Sequence, residues 1–449
     1  NVDPVLGNVS YPSGNEGAAL TFTASATDVA TDPLTYSWTF GDGATASGST
    51  VSHTYADDGN YTVGLTVSDG DGGSVSQTGV ASVSNVAPTP SIAGATTGSE
   101  GVPLSFQGSA TDPGADTFTY AWDFGDGNTA TGANVTHTWA DNGNFTVQLT
   151  ATDDEGASAS TTSTVAIANV DPVLGSVSIP SGSEGASLAF AASASDVAGD
   201  TITTSWDFGD GSTGSGATTN HTYADNGTYS VTVTVTDGDG GSATLTGSAV
   251  IANVDPTAAI SGPSSGSEGA SLTFSGSATD PGADTFTYAW DFGDGTTGSG
   301  ATASHTYTDD GTFTVALLVT DDDGGTDTAT TSVAVGNVDP TIGAFSVASG
   351  NEGETLTFTA SASDVSGDSL TYAWDFGDGN TSSGASATHA YDDDGSYSVS
   401  VTVTDGDGGS ASQTGTASIA NVDPTFATFV PTTSGDEGAA LQFDATGAD

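Results

Sequence analysis

The residues in this chain best suited to chemistry are carboxylates, and they return at a fixed interval. A Glu stands at 16, 100, 184, 268 and 352, each 84 residues after the last. A second string keeps the same period: NVDP at 1, NVAP at 85, and NVDP again at 169, 253, 337 and 421. Of the 56 acidic residues, 48 are Asp and 8 are Glu, and the Asp residues bunch in Gly-rich loops. A solvation coat would spread both acids over exposed faces. Short Asp side chains in tight turns fit two other jobs, closing Asx turns and ligating hard cations. Calcium, the natural candidate, takes about six to eight oxygens at roughly 2.3–2.6 Å.

Other chemistries fit the residues less well. Ser, His and Asp do occur together, as in VSHTYADD (51–58), but the arrangement recurs in every repeat with no insertion long enough to build a cleft. No enzyme is expected. The five histidines, His53, His137, His221, His305 and His389, come one per repeat, so no second His stands ready for a zinc site. A structural hydrogen bond to a neighbouring loop is the expectation for each. The Trp and Phe of the recurring W-x-F-G-D-G string invite a sugar-stacking role. Trp38 and Phe40 nevertheless alternate in phase with Leu34 and Tyr36, which places them in a core.

Composition narrows the partners. The chain of 449 residues has no Lys, no Arg, no Cys and no Met, and a formal charge of −56. Nucleic-acid binding needs cationic side chains to displace counterions from phosphate, and none exist. An anionic membrane surface is excluded on the same ground. No apolar run approaches the ~20 residues of a membrane span. There can be no disulfide and no Lys–Asn crosslink. No leader segment is visible, so export is inferred rather than read. The absent Met and the start at a repeat boundary suggest a processed chain or a window of a longer one.

The elements that must position these acids follow from the repeat. Boundaries fall at 1–84, 85–168, 169–252, 253–336 and 337–420, with a partial sixth copy over 421–449 whose Glu is displaced to 437. Within a repeat the apolar period is two: Leu20, Phe22, Ala24, Ala26, then Leu34, Tyr36, Trp38, Phe40, then Tyr61, Val63, Leu65, Val67. Turn strings separate these runs, SGNEG at 13–17, FGDG at 40–43, ADDG at 56–59 and DGDGG at 69–73. No window has a helical period. The prediction is an all-β chain of tandem immunoglobulin-like β-sandwich domains in a linear array.

YAWDFGDG (120–127) followed by THTWADNGNFTVQLTATDDEG (136–156) resembles the polycystic kidney disease (PKD) domain. The resemblance covers every full repeat; repeat 1 departs slightly, with Thr39 where the others have Asp. It implies a seven-stranded sandwich, found in tandem on secreted or surface proteins of bacteria and archaea. Such modules act as spacers, adhesion units or polysaccharide-contacting accessories, and several bacterial members bind calcium near the domain's N-terminal end.

Tracing the strands as a sandwich puts Glu16 and Asp57 at the lower end of repeat 1, and Asp28, Asp69 and Asp71 at its upper end. Each seam then gathers acid from the domain above, the linker and the domain below. The seam of repeats 1 and 2 would hold Glu16, Asp57, Asn85, Asp112, Asp153 and Glu155. That of repeats 2 and 3 would hold Glu100, Asp141, Asn169, Asp171, Asp196, Asp237 and Asp239. Repeats 3 and 4 would share Glu184, Asp225, Asn253, Asp255, Asp280, Asp321 and Asp323. Repeats 4 and 5 would share Glu268, Asp309, Asn337, Asp339, Asp364, Asp405 and Asp407, and the last seam begins with Glu352, Asp393, Asn421 and Asp423. Calcium is the expected ion, because clustered carboxylates without Lys or Arg otherwise repel. The layout is analogous to the calcium-stiffened junctions of cadherins. Ala87 stands where the other linkers have Asp, so the first seam is expected to bind more weakly or with fewer ions.

A finer pattern lies on top. Repeats 2 and 4 read ATDPGADTFTYAWDFGDG (110–127 and 278–295), whereas repeats 1, 3 and 5 carry TDV or SDV at that place. Either two environments alternate along an assembly, or a pair was recently duplicated. The expected function is a non-catalytic, calcium-rigidified array forming an extracellular filament, stalk or adhesin that associates with itself. The competing expectation is a polysaccharide-binding spacer of a larger secreted enzyme. Sequons at Asn8, Asn60, Asn134, Asn144, Asn220, Asn226 and Asn380 permit glycosylation.

Overall fold

The computed structural model describes residues 1–29, 32–426 and 447–448. By internal packing the chain forms two compact units. One comprises Asn1–Ser181, Ser187–His221 and Thr228–Ala249; the other comprises Gly182–Ala186, Thr222–Gly227 and Val250–Asp449. The first contains repeats 1 and 2 and most of repeat 3, and the second contains repeats 4 and 5.

Repeat 1 shows the plan. Its strands are β1 (Val5–Ser10), β2 (Gly14–Asn15), β3 (Ala19–Thr27), β4 (Thr35–Thr39), β5 (Thr45–Ser47), β6 (Thr50–Thr54), β7 (Gly59–Ser68) and β8 (Ser74–Ser84). They pair as a three-stranded sheet, β1-β3-β6, and a five-stranded one, β2-β8-β7-β4-β5. The resemblance implied seven strands; the eighth is β2, a two-residue segment that runs parallel to the end of β8. Repeats 2, 4 and 5 have the same two sheets. Among the described residues there is no helix long and apolar enough to cross a membrane.

Alternation drives the layering. In β3 every second residue faces in, so Leu20, Phe22 and Ala24 are buried while the Thr and Ser between them meet solvent. Trp38, Phe40, Val63, Leu65 and Val67 complete the same core, with Leu34, Tyr36 and Tyr61 packed at its rim. The Trp38 indole N–H donates to the Gly48 carbonyl at 3.0 Å, so its polar atom is satisfied. All six Trp residues are buried.

Each His is tied as expected. The His53 ring stacks on Phe40 with centroids 4.1 Å apart, and its Nε2 lies 2.6 Å from Asp42 Oδ2 in the FGDG turn. The other Asp42 oxygen accepts the Ala44 N–H. Tyr55 closes this end of the sandwich by donating its hydroxyl to the Phe40 carbonyl at 2.9 Å; Trp139 takes that place in repeat 2.

Two local features position the acids at the domain ends. β7 and β8 pair without interruption from Gly59↔Val83 to Ser68↔Ser74, which carries the DGDGG turn to the upper end. At the lower end, the Glu16 N–H donates to the Ser84 carbonyl and the Gly17 N–H to Tyr55, fixing Glu16 beside the start of the linker. Of the sixth copy, Thr425–Phe426 pairs with Gly447–Ala448; Glu437 lies outside the described residues.

Candidate metal centre

The seam of repeats 2 and 3 shows how the acids meet. Glu100 descends from the domain above and divides its carboxylate between two tasks. Oε1 accepts the Val170 backbone N–H of the linker at 2.7 Å. Oε2 is buried and has no hydrogen-bond partner. Asn169 is divided in the same way: its Nδ2 donates to Asp237 Oδ2 at 2.7 Å, and its Oδ1 is buried and unpartnered. The domain below adds unpartnered Oδ2 atoms of Asp196 and Asp200.

The same four atoms recur at every seam between described repeats. Glu16, Asn85, Asp112 and Asp116 supply them at the first, Glu184, Asn253, Asp280 and Asp284 at the third, and Glu268, Asn337, Asp364 and Asp368 at the fourth. Each Glu grips the linker identically, through Val86, Val170, Val254, Val338 and, below repeat 5, Val422. Glu16, Glu100, Glu184 and Glu268 are only 2%, 1%, 2% and 2% exposed. A buried acceptor without a partner costs about 1–3 kcal/mol, more when charged. Four such atoms from three chain segments at one seam are a cost that a hard cation there would remove.

The charges respond accordingly. Burial pushes the carboxyls of Glu100, Glu184 and Glu268 up, and neighbouring Asp charges add to it. Asp116 and Asp284 are pushed up to about 6, by burial first and then by Glu16 and Glu184. Asp200 and Asp368 shift the same way for the same reasons. Asp237, Asp321 and Asp405 go down instead, chiefly because Asn169, Asn253 and Asn337 donate to them.

The residues expected from sequence divide into three groups. Glu16, Glu100, Glu184, Glu268, the linker Asn residues, and Asp112, Asp196, Asp280 and Asp364 supply the unpartnered oxygens. Asp153, Asp237, Asp321 and Asp405 are buried but committed. In Asp237, Oδ1 accepts the N–H groups of Asp239, Gly240 and Gly241, while Oδ2 holds the Asn. They scaffold the centre.

The third group is exposed: Asp57, Asp141, Asp225, Asp309, Asp393, Glu155, Asp239, Asp323, Asp407 and the linker residues Asp171, Asp255 and Asp339. Even so, Asp57 comes within 4.8 Å of Glu16 and Asp116, and Asp141 of Glu100 and Asp200. The linker Asp is exposed and lies outside the set of buried unpartnered oxygens. Its proline neighbour, Pro172 or Pro256, is the buried residue of the pair. A Cβ on Gly241 would lie 2.7 Å from Asp171 Oδ1, so the aspartate rests against that glycine. In repeat 2 both partners are Ala, Ala87 and Ala157. Glu352 and Asn421 stand below repeat 5, and Asn421 and Asp423 are exposed.

These repeats match known sequences along their whole length. The profile of the PKD domain fits residues 1–83, 85–168, 169–252, 253–335 and 337–420. The chain belongs to the PKD domain family. A microbial collagenase of Vibrio alginolyticus is 40% identical over 86 residues, 19% of this chain and 11% of the collagenase, so the match spans about a tenth of that relative. The PKD1 domain of Vibrio anguillarum Epp is 35% identical, covering 19% of this chain and 96% of that domain, with a TM-score of 0.17. The PKD1 domain of the Vibrio cholerae metalloprotease PrtV is 32% identical, covering 18% and 98%, also with a TM-score of 0.17.

Reasoning from the PKD sequence missed Asp116, Asp200, Asp284 and Asp368. Their signal was present: with Asp32 they hold the 84-residue period. It also missed the bond from each seam Glu to the linker N–H. Of the sequons, Asn8, Asn60, Asn134, Asn144, Asn220 and Asn380 are exposed, and Asn226 is half-buried.

Proposed function

We propose that this PKD array is a non-catalytic extracellular structural element whose domains are locked to one another by calcium at each seam, as in a filament, stalk or adhesin. One observation carries the reading: a Glu from above, an Asn from the linker and two Asp from below aim four unpartnered buried oxygens into each seam between described repeats. Hard oxygen ligands of this kind, mostly charged, suit calcium. The committed carboxylate Asp153 lies within 4.8 Å of Asp112 and Asp116, and the flanking Asp141 lies as near to Glu100 and Asp200, which adds acid around them. Calcium would join the two domains and the linker at the seam and so fix one domain against the next.

Removing calcium from the intact chain with a chelator tests the reading. Melting temperature should fall, and solution scattering should report a shorter mean particle length as the seams loosen. No change in either quantity defeats it.

A spacer within a larger secreted enzyme is the second reading, favoured by the match to a microbial collagenase. It shares the calcium-locked seams and differs only in what lies beyond the repeats. Polysaccharide binding gains no support from the tryptophans, since all six are in cores.

A further inference from the structure

The four seams share one set of unpartnered atoms but are built in two ways. At the seams of repeats 1–2 and 3–4, the lower domain presents Asp-Pro-Gly-Ala-Asp, residues 112–116 and 280–284. At those of repeats 2–3 and 4–5 it presents Asp-Val-Ala-Gly-Asp and Asp-Val-Ser-Gly-Asp, residues 196–200 and 364–368.

In the first design the loop lies directly against the Glu of the domain above. A Cβ on Gly114 would stand 2.7 Å from Glu16 Oε2, and one on Gly282 would stand 2.9 Å from Glu184 Oε2. A side chain at either position would push the Glu carboxylate out of its place. The corresponding positions in the second design are Ala198 and Ser366; there the next residue, Gly199 or Gly367, packs on the domain above, a Cβ standing 2.9 Å from the Ala140 carbonyl oxygen or 3.0 Å from that of Thr308.

The first design is also tied from its own side. Asp154 Oδ1 accepts the Thr117 N–H at 2.9 Å, and Asp322 Oδ1 accepts the Thr285 N–H at 2.9 Å, directly after the ligand-bearing loop. In the second design the residues in register with Asp154 are Gly238 and Gly406, which have no side chain to make this bond. Its loops close on themselves through long bonds, Asp200 N–H to the Val197 carbonyl and Asp368 N–H to the Val365 carbonyl, both 3.4 Å. At the 3–4 seam a backbone bond even crosses between domains, from the Ala283 N–H to the Ala224 carbonyl at 2.7 Å.

Resting on the calcium reading above, we propose that the array carries two classes of cation site, tight at seams 1–2 and 3–4 and weaker at seams 2–3 and 4–5. Rigidity helps set the affinity of an oxygen site for calcium, and the first design holds its loop by the added Asp154 or Asp322 bond. Ligands already held in place lose less freedom on binding. At low calcium the chain is then a string of locked pairs, and at higher calcium every joint locks. The 168-residue period of the sequence is the period of this device.

The test is a calcium titration of the chelator-treated full chain by calorimetry, for the wild type and two double variants. Wild type should show two classes of sites separated by roughly tenfold or more in affinity. Asp154→Gly with Asp322→Gly removes the tether and should merge the tight class into the weak one. Gly114→Ala with Gly282→Ala places a methyl against each Glu and should do the same without touching the tether, so a folding failure of the first variant leaves the question decidable. A single class in the wild type, or two classes that survive in a folded variant of both kinds, overturns the proposal while the calcium reading stands. No binding at all defeats the reading itself.

Discussion

Asn169 donates from Nδ2 to Asp237 Oδ2 at 2.7 Å, while its Oδ1, buried in the same seam, has no partner. One amide thus steadies a carboxylate of the domain below and offers an oxygen to the space between domains. Asn169→Asp keeps the shape but turns the donor into a second anion. With chelator the variant should melt below wild type, and with saturating calcium much of the difference should close. Thermal scans in both conditions measure it; an equal deficit in both would mean that the Oδ1 position faces no cation.

Glu100→Gln should act with opposite signs in the two conditions. Burial and neighbouring Asp charges hold the Glu100 carboxyl above its usual range, so its ionised form destabilises the metal-free fold at neutral pH. Gln removes that charge and can still accept the Val170 N–H. The chelated variant should therefore melt higher than chelated wild type. In calcium it should melt lower and bind fewer ions by one seam's complement, counted by equilibrium dialysis. A fall in both conditions would show that Glu100 is only a structural clasp.

Asp200→Asn should weaken its seam far more than Asp171→Ala, although sequence favoured Asp171. The two emphases differ for physical causes. An Asp before Pro draws attention because it closes no turn, yet chain direction alone does not say which of two neighbours faces inward. The buried one is Pro172. Asp200 stands in a short loop without strand period, so no alternation pointed to it, and only its 84-residue spacing marked it. The core was legible because a period of two assigns faces directly, as for Trp38 and Phe40. By the same logic Ala87→Asp should leave calcium binding at the first seam nearly unchanged. Site-resolved binding by calorimetry would reverse this ranking if the linker Asp were a principal ligand.

The metal-free chain should lose stability as pH rises from about 4 to 6. Asp116 and Asp284 titrate at about 6 in the fold against a usual 3.8, so the native state holds more protons than the unfolded one across that interval. Stability therefore falls with rising pH there. Below 3.8 the slope reverses. Asp42 resists the upward push of burial through bonds from Ala44 and His53, and its lowered carboxyl withdraws stability as it takes a proton. Saturating calcium should flatten the upper limb, because ligation competes with those protons. Melting temperatures across pH with and without chelator check both limbs; a chelated chain that gains stability between 4 and 6 would contradict the seam electrostatics.

Proteolysis offers a positional readout. The chain gives trypsin no site, having neither Lys nor Arg, but a Glu-specific endoprotease meets Glu16, Glu100, Glu184 and Glu268 at successive seams. Each is buried, with its backbone N–H bonded to the last residue of a strand and its side chain bonded to the linker. Cleavage there requires the seam to open. Glu155 and Glu354 are exposed and act as internal controls. In calcium, cuts should be confined to such exposed positions. After chelation, fragments ending at the seam Glu residues should appear, spaced by 84 residues. If the two seam designs differ as inferred, Glu100 and Glu268 should be cut at higher calcium than Glu16 and Glu184. Equal susceptibility of all four at every calcium concentration would remove the distinction, and susceptibility indifferent to calcium would remove the metal from the seams.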